Sequence, residues 1–312
     1  MKIALYVEGA SGKGGIEVFA ERQAARLRAE GHEVVVAGRP EEVPGDCAEI
    51  VVHKCGSLAV LEAFPPEKTV VYVHDHEPIC PRTYAYDVWR RNCSRPGGVW
   101  PCLFCAPACR DWKGALRRVF AQGRRKRALA RVKRIVVISE FMKGRLVSNG
   151  LPEGKIAVEK PEVRAKGTPK SVGVAVDLLY AGQLLRGKGV QVLLDAMARL
   201  DASRTLDVVG TGNMEGRLKA QAARLGLGER VRWHGFVEDA RVWMAAAACV
   251  VVPSVWQEPY GLVAAEAVAL GRRVVASDIG GLPEACGGKA VLVPPGDAAA
   301  LARALENARP CP

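Results

Sequence analysis

The chain has 312 residues, 49% hydrophobic and 25% charged, with a net charge of +12. This length and make-up suit a soluble globular protein of two domains and exclude a disordered or collagen-like chain, and the positive balance calls for an anionic partner. No apolar run approaches the ~20 residues of a bilayer-spanning helix, and the start, MKIALYVEGASGKGG, breaks into glycines too early for a secretory leader, so the expected location is the cytoplasm.

Residues 2–7 read as a buried strand and 16–28 as a helix with Val18, Phe19 and Leu27 on an apolar face. Between them GASGKGG is not a P-loop, because Gly-x4-Gly-Lys-Ser/Thr fails in spacing and in its last residue. Its glycines still allow backbone amides to approach a ligand, although a tight turn alone accounts for one or two of the four. Strands follow at 33–37, 49–53 and 69–73 with helices between, the alternation of a parallel sheet. Ligands of such sheets sit beyond the carboxyl ends of strands, where His74, Asp75 and His76 stand. His74 is therefore a candidate functional residue, with His76 as its replacement; a structural or solvated histidine is the plainer reading.

Residues 80–109 differ from the rest of the chain. They carry Cys80, Cys93, Cys102, Cys105 and Cys109, five of the ten cysteines. Cys-x2-Cys-x3-Cys with two cysteines upstream has the spacing of zinc ligands and, less well, of an iron–sulfur cluster. The loop is too poor in core residues to fold alone, a usual setting for a structural metal; disulfides and reduced buried thiols are the alternatives. Residues 111–134 read as a helix with Trp112, Leu116, Val119 and Phe120 at helical spacing. Ten Lys and Arg fall between 113 and 134 with no acid, and beyond Gly123 they occupy almost every side. They tilt the charge: residues 1–160 hold 27 Lys and Arg against 18 Asp and Glu, an excess of 9, and residues 161–312 hold 18 against 15, an excess of 3. The plain reading is a solvated surface helix. The sharper one is an interfacial helix on anionic lipid headgroups, with nucleic acid as the competing anion. Residues 134–138 form another strand, Ser139 caps a helix over 140–147, and the Pro- and Gly-bearing stretch 161–172 links a first domain, 1–160, to a second, 173–312.

The second domain repeats the alternation. Residues 177–181 form a strand, and GQLLRGKG leads into a helix over 190–200. The strand 206–209 precedes GTGNMEG, a near miss to the dinucleotide fingerprint; the next strand, 231–234, ends in Gly235-Phe236-Val237 instead of the acid a dinucleotide needs. The apolar run 247–252 reads as a buried strand before Pro253. After Pro259 a helix begins, with Leu262, Val263, Ala267 and Leu270 at spacings of three and four and Gly271 as its stop. Glu258 then lies in the loop before this helix and Glu266 along it, and the unpaired amides of Tyr260, Gly261 and Leu262 make an anion site. Carboxylates bracketing such a site suit sugar hydroxyls, a diphosphate and a ribose; an ordinary helix with two solvated Glu is the alternative. A strand at 274–277, the loop GGLPE at 280–284, a short strand at 292–295 and a helix over 298–308 capped by Asp297 complete the chain.

Residues 254–271, SVWQEPYGLVAAEAVALG, resemble the E-x7-E motif of the retaining family-4 glycosyltransferases. Gly14-Gly15 with Glu17, His74, the GQLLRGKG loop and GGLPE occur in that family's order. The resemblance implies an α/β fold of GT-B type, two Rossmann-like doubly wound parallel-sheet domains facing a cleft. It implies transfer of a sugar, with retention, from a nucleotide sugar to an envelope glycan, lipid-linked or other acceptor, in the cytoplasm or on the inner face of the cell membrane. In that scheme Glu258 touches the transferred sugar, Glu266 holds the ribose, and Lys188 with the amides of Gly261 and Leu262 holds the diphosphate. His74 contacts the sugar, and Gly14 and Gly15 lie against donor and acceptor. His74, Lys188 and Glu258 carry the catalytic roles. The family needs no divalent metal at the diphosphate, so no cofactor is implied for catalysis, and zinc at the cysteines would be structural. Gln183 departs from the pattern, standing where the family has an Arg, and Arg186 is the candidate to reach the phosphates instead. The rival readings are a metal-containing protein that binds or glycosylates nucleic acid, and an inactive GT-B scaffold.

Overall fold

Runs rich in Val, Ile and Leu, buried on both faces, build two all-parallel sheets, as such continuous apolar runs require. The structure is a computed structural model that describes residues 1–8, 15–53, 57–82, 84–86, 92–95, 97–105, 111–163, 173 and 175–308. It divides into two units, Met1–Lys160 and Pro161–Pro312.

In the first unit β1 (Lys2–Val7), β2 (Glu33–Ala37), β3 (Glu49–His53), β4 (Thr69–Val73), β5 (Arg134–Val137) and β6 (Ile156–Val158) lie in the order β2-β1-β3-β4-β5-β6. The helices are α1 (Gly15–Ala29), α2 (Leu58–Ala63), α3 (Val99–Leu103), α4 (Trp112–Arg131) and α5 (Glu140–Val147). Asp111 caps α4 by accepting from the Gly114 N–H at 2.9 Å, and Ser139 caps α5 by accepting from Met142 at 3.1 Å. The expectation of bases on almost every side of α4 needs correction. Arg125 is buried and donates to the Glu77 carbonyl at 3.1 Å, and Lys126 donates to the Gly97 carbonyl at 2.6 Å. These two bases turn inward because the loop from Glu77 to Gly97 offers carbonyls that no sheet or helix satisfies. The edge strand β6 has no forerunner in the sequence reading, being three residues long and set among charges and prolines.

In the second unit β7 (Val176–Ala181), β8 (Leu206–Val209), β9 (Val231–Gly235), β10 (Ala247–Val252), β11 (Arg273–Ser277) and β12 (Val291–Val293) lie in the order β12-β11-β10-β7-β8-β9. The helices are α6 (Val190–Met197), α7 (Glu215–Arg224), α8 (Ala240–Ala246), α9 (Leu262–Ala269), α10 (Leu282–Cys286) and α11 (Ala298–Glu306). The direction of crossover reverses between β7 and β10, which leaves a crevice at their carboxyl ends.

The buried Arg204 ties this unit together. It grips Asp177 with Nε at 2.7 Å and Nη2 at 2.9 Å, and its Nη1 donates to the Leu305 carbonyl of α11 at 2.8 Å. Removing one member of such a pair strands the other charge. Arg204→Met is therefore expected to lower the unfolding free energy by about 3–5 kcal/mol in a urea titration. A loss near zero would show that α11 docks without this anchor.

Candidate active site

The loops after β7 and β10 meet because glycines let their backbones touch. Gly189 has φ +77° and lies so close to the Pro253 carbonyl that an added Cβ would sit 1.7 Å from its oxygen. Gly187 faces the Trp256 ring, and its carbonyl accepts from the Val255 N–H at 2.8 Å and the Trp256 N–H at 3.2 Å. This docking brings Lys188 Nζ to 2.7 Å from Glu258 Oε1. The Ser254 hydroxyl donates to the same oxygen at 2.6 Å and the Trp256 Nε1–H at 3.0 Å. The Lys188 ammonium also lies 5.5 Å from the Trp256 ring centroid.

Glu258 is only 6% exposed. Burial alone would push its carboxyl up, but the Lys188 charge and the three donors outweigh it and hold the group below the ordinary 4.5. All three donors converge on Oε1, so Oε2 has no hydrogen bond among the described residues. The Glu258 backbone is held from the other side. The Gly281 N–H donates to its carbonyl at 2.7 Å, and Gly280, at φ +62°, leaves no room there for a Cβ.

Helix α9 starts at Leu262 with Gly261 as its cap, at φ +116°. The N–H groups of Leu262, Val263 and Ala264 therefore lack partners inside the helix, two residues later than the Tyr260, Gly261 and Leu262 expected from sequence. Glu266 is half-buried one turn further on and lies in the field of Arg241. Gln183 and Arg186 are exposed on the loop after β7, where the Gln183 carbonyl accepts from the buried Tyr180 hydroxyl at 2.8 Å. Two of the three glycines of GTGNMEG serve packing: Gly210 lies against the Gly182 carbonyl and Gly212 against the Leu184 backbone, while Gly216 faces open space. Phe236, just past β9, is 78% exposed.

In the first unit His74 follows β4 and meets His53, the last residue of β3, with His74 Nε2 3.0 Å from His53 Nδ1. Phe19 of α1 and Tyr72 flank both rings. Burial pulls the imidazoles down, His53 to about 3 with His74 adding to the effect, and His74 to about 4, so both are neutral at pH 7. His53 Nε2 is buried without a partner. An orphaned acceptor costs less than an orphaned N–H, which assigns the bridging proton to His53 Nδ1 and leaves His74 an N–H at Nδ1. His76, the proposed replacement, is instead buried edge-on against Phe141 of α5. Gly15 opens α1, whereas Gly14 lies outside the described residues. Cys80, Cys93, Cys102 and Cys105 line one small cavity, and Cys109 also lies outside the described residues. Ser254, Trp256 and His53 carry no assigned role in the sequence reading, and Gly280 enters it only as part of the GGLPE loop. Ser254, Trp256 and Gly280 fall inside or beside matched motifs; His53 carried no signal beyond its place at a strand end.

Residues 175–308 match the family described as Glycosyl transferases group 1. An uncharacterized glycosyltransferase of Methanocaldococcus jannaschii is 37% identical over 122 residues, covering 37% of this chain and 31% of that protein. D-inositol 3-phosphate glycosyltransferase 1 of Catenulispora acidiphila is 38% identical over 167 residues, covering 47% and 38%. The chain thus matches only about a third of the length of these relatives. The crystal structure of Anabaena HepE in complex with UDP-glucose superposes with a TM-score of 0.71 at 20% identity, covering 98% of this chain and 89% of that one. The fold is the GT-B glycosyltransferase fold.

Because Glu258 titrates lower in the folded chain than in the unfolded one, its ionised form adds stability that is present above about pH 4.5 and is lost as the pH falls through the folded value. The stability gap between wild type and Glu258→Gln should hold steady from about pH 7 to 5 and shrink below about pH 4.5 in urea titrations. A gap that stays constant to pH 3 would mean that this carboxylate is not held ionised by its donors.

Proposed function

From a Glycosyl transferases group 1 domain at residues 175–308 on a GT-B fold, we propose that this chain moves a sugar from a nucleotide-sugar donor, with retention. One observation carries the proposal: the Lys188–Glu258 pair at the β7/β10 crevice, set directly before the open N–H groups of α9. A donor diphosphate placed there would have its departing charge neutralised by Lys188 and by the first-turn amides. Glu258 Oε2 would accept from a sugar hydroxyl, and Glu266, further along α9, would take the ribose. Glu258 Oε1 is tied up by three donors, which argues against a covalent intermediate on that oxygen. The acceptor then attacks on the face the diphosphate leaves, and its hydroxyl proton passes to the departing phosphate oxygen. Exposed Arg186 takes the place of the family arginine missing at Gln183, and the family resemblance assigns sugar contact to the His74 N–H. UDP-glucose, the molecule bound in Anabaena HepE, is the first donor to test.

For the acceptor side we propose a lipid-linked substrate at an anionic membrane surface. Helix α3 packs on α4 through Val99 and Cys102 against Ala115 and Val119. Trp100 and Phe104 of that segment are 77% and 75% exposed, and Trp112 and Phe120 of α4 are exposed as well. Exposed Lys113, Arg117, Arg124, Arg127 and Arg131 lie on the same helix. Exposed aromatics beside a basic helix suit the headgroup boundary, where each base near the surface contributes about 1 kcal/mol. No helix among the described residues is long and apolar enough to cross a membrane.

Lys188→Ala is expected to slow turnover of the nucleotide sugar by about 10²–10³-fold, and Glu258→Ala comparably, while both still fold. Hydrolysis and transfer unaffected by either change would remove the enzyme assignment. Anionic vesicles should retain the wild-type chain at low salt, and Trp100→Ser with Phe104→Ser should weaken that retention. Tight, salt-sensitive binding to single-stranded DNA with no vesicle binding would favour the nucleic-acid reading.

A further inference from the structure

We infer that Cys80, Cys93, Cys102 and Cys105 are the ligands of one structural zinc ion in the first unit. Cys80 and Cys93 come from the loop after β4, Cys102 from α3 and Cys105 from the turn that ends it, and the four converge on one cavity of about 20 Å³. None of the four is in a disulfide. A space of that size takes about one atom-sized guest, too little for a phosphate or for an iron–sulfur cluster. An all-sulfur donor set selects a soft or borderline ion, and Cys-x2-Cys at Cys102 and Cys105 is a usual half of a zinc site.

The surroundings ask for negative charge. Arg145 also lines the cavity, and no carboxylate does among the described residues. Arg145 donates to the Cys93 carbonyl at 2.9 Å and the Ser94 carbonyl at 2.9 Å, but its Nε–H is buried with no partner. A half-buried guanidinium without an anion is costly, and neither neutral thiols nor a neutral disulfide would relieve it. Four thiolates around Zn²⁺ carry a net negative charge and would. Burial pushes the Cys80 thiol up to about 11 and the Cys102 thiol up as well, against the smaller opposing effect of the backbone N–H groups of Arg82, Ala85 and Gly98, so these thiols need the charge of a metal ion to ionise.

The loop is also built to hold its shape around the cavity. Lys126 and Gln122 of α4 reach the Gly97 and Ile79 carbonyls at 2.6 and 2.7 Å, and Asn149 accepts from the Gly97 N–H at 2.6 Å. As the side chains now sit, no three His, Cys, Asp or Glu among the described residues stand close enough to hold an ion. Binding therefore turns the thiols inward about their single χ1 torsions, and each ligand thiol gives its proton to solvent as the S–Zn bond forms.

The full-length chain, purified under reducing conditions without chelator, should carry about one zinc per chain by elemental analysis. Cys102→Ser and Cys105→Ser should each retain roughly tenfold less zinc, and Cys47→Ala, in the core away from the cavity, should retain the wild-type amount. Because the serine variants could fail to fold, two measurements use intact ligands. Cobalt exchanged into the wild-type chain should show thiolate-to-metal charge-transfer absorbance, and Arg145→Gln should weaken zinc affinity by about 10–100-fold. Intact-mass analysis after alkylation that finds disulfides among these cysteines, or a wild-type chain that holds no zinc and gives no cobalt charge-transfer band, would overturn the assignment. The outcome is independent of the donor assays, which report on residues of the second unit.

Discussion

A carboxylate buried as deeply as Glu258 survives in the second unit only because a cation and two neutral donors meet the same oxygen. That requirement dictates the local chain. Lys188 must come from the loop after β7 and Glu258 from the loop after β10, so the two loops must touch. They can touch only if the residues between them have no side chain, which is why Gly187 and Gly189 stand where they do. On the far side Gly280 and Gly281 press against the Glu258 backbone for the same reason. The parallel sheet provides the crevice, and the ion pair determines how its rim is built. Concentrating the donors on Oε1 has a chemical result as well: the charge is anchored through one oxygen while the other stays able to bind.

The first unit meets the same topology with a different electrostatic solution. Its crevice side carries His53 and His74, ring to ring in an aromatic cage, and burial keeps both uncharged. A hydrogen bond between two imidazoles needs one donor and one acceptor, so protonating both would break it. His74 is thus a neutral donor of fixed tautomer, suited to a hydroxyl and unsuited to neutralising a phosphate. The second unit, with its lysine and open helix amides, has the opposite aptitude.

The alternation of strands and helices was legible from apolar periodicity, and the resemblance of five short motifs pointed to the right fold. Lys188, Glu258 and the start of α9 could be placed because each belongs to a motif whose spacing reflects helix geometry. Ser254 and Trp256 were not legible as donors, since nothing in a linear string says that a serine four residues before a glutamate folds back onto it. His53 was invisible for a related reason: its partner is 21 residues away and meets it only through the register of β3 with β4. On α4, periodicity identified the helix but charge counting misjudged it. Arg125 and Lys126 look like solvent-facing bases in sequence, and only the unsatisfied carbonyls of the Glu77–Gly97 loop explain why they turn inward.

That inward turn ties the cysteine loop to the rest of the first unit. A segment with few apolar side chains cannot fix its conformation by burial, so it relies on long polar arms from neighbouring helices: Gln122, Arg125 and Lys126 from α4, and Arg145 from α5. Such arms bring positive charge with them, and the loop answers with carbonyl oxygens, which satisfy hydrogen bonds without neutralising the charge. Among the described residues that line the cavity, the four cysteine sulfurs are the groups that a soft metal ion would convert to anions. The scaffold that shapes the loop therefore also sets the conditions under which its thiols would ionise, so folding of the loop and metal binding become parts of one equilibrium.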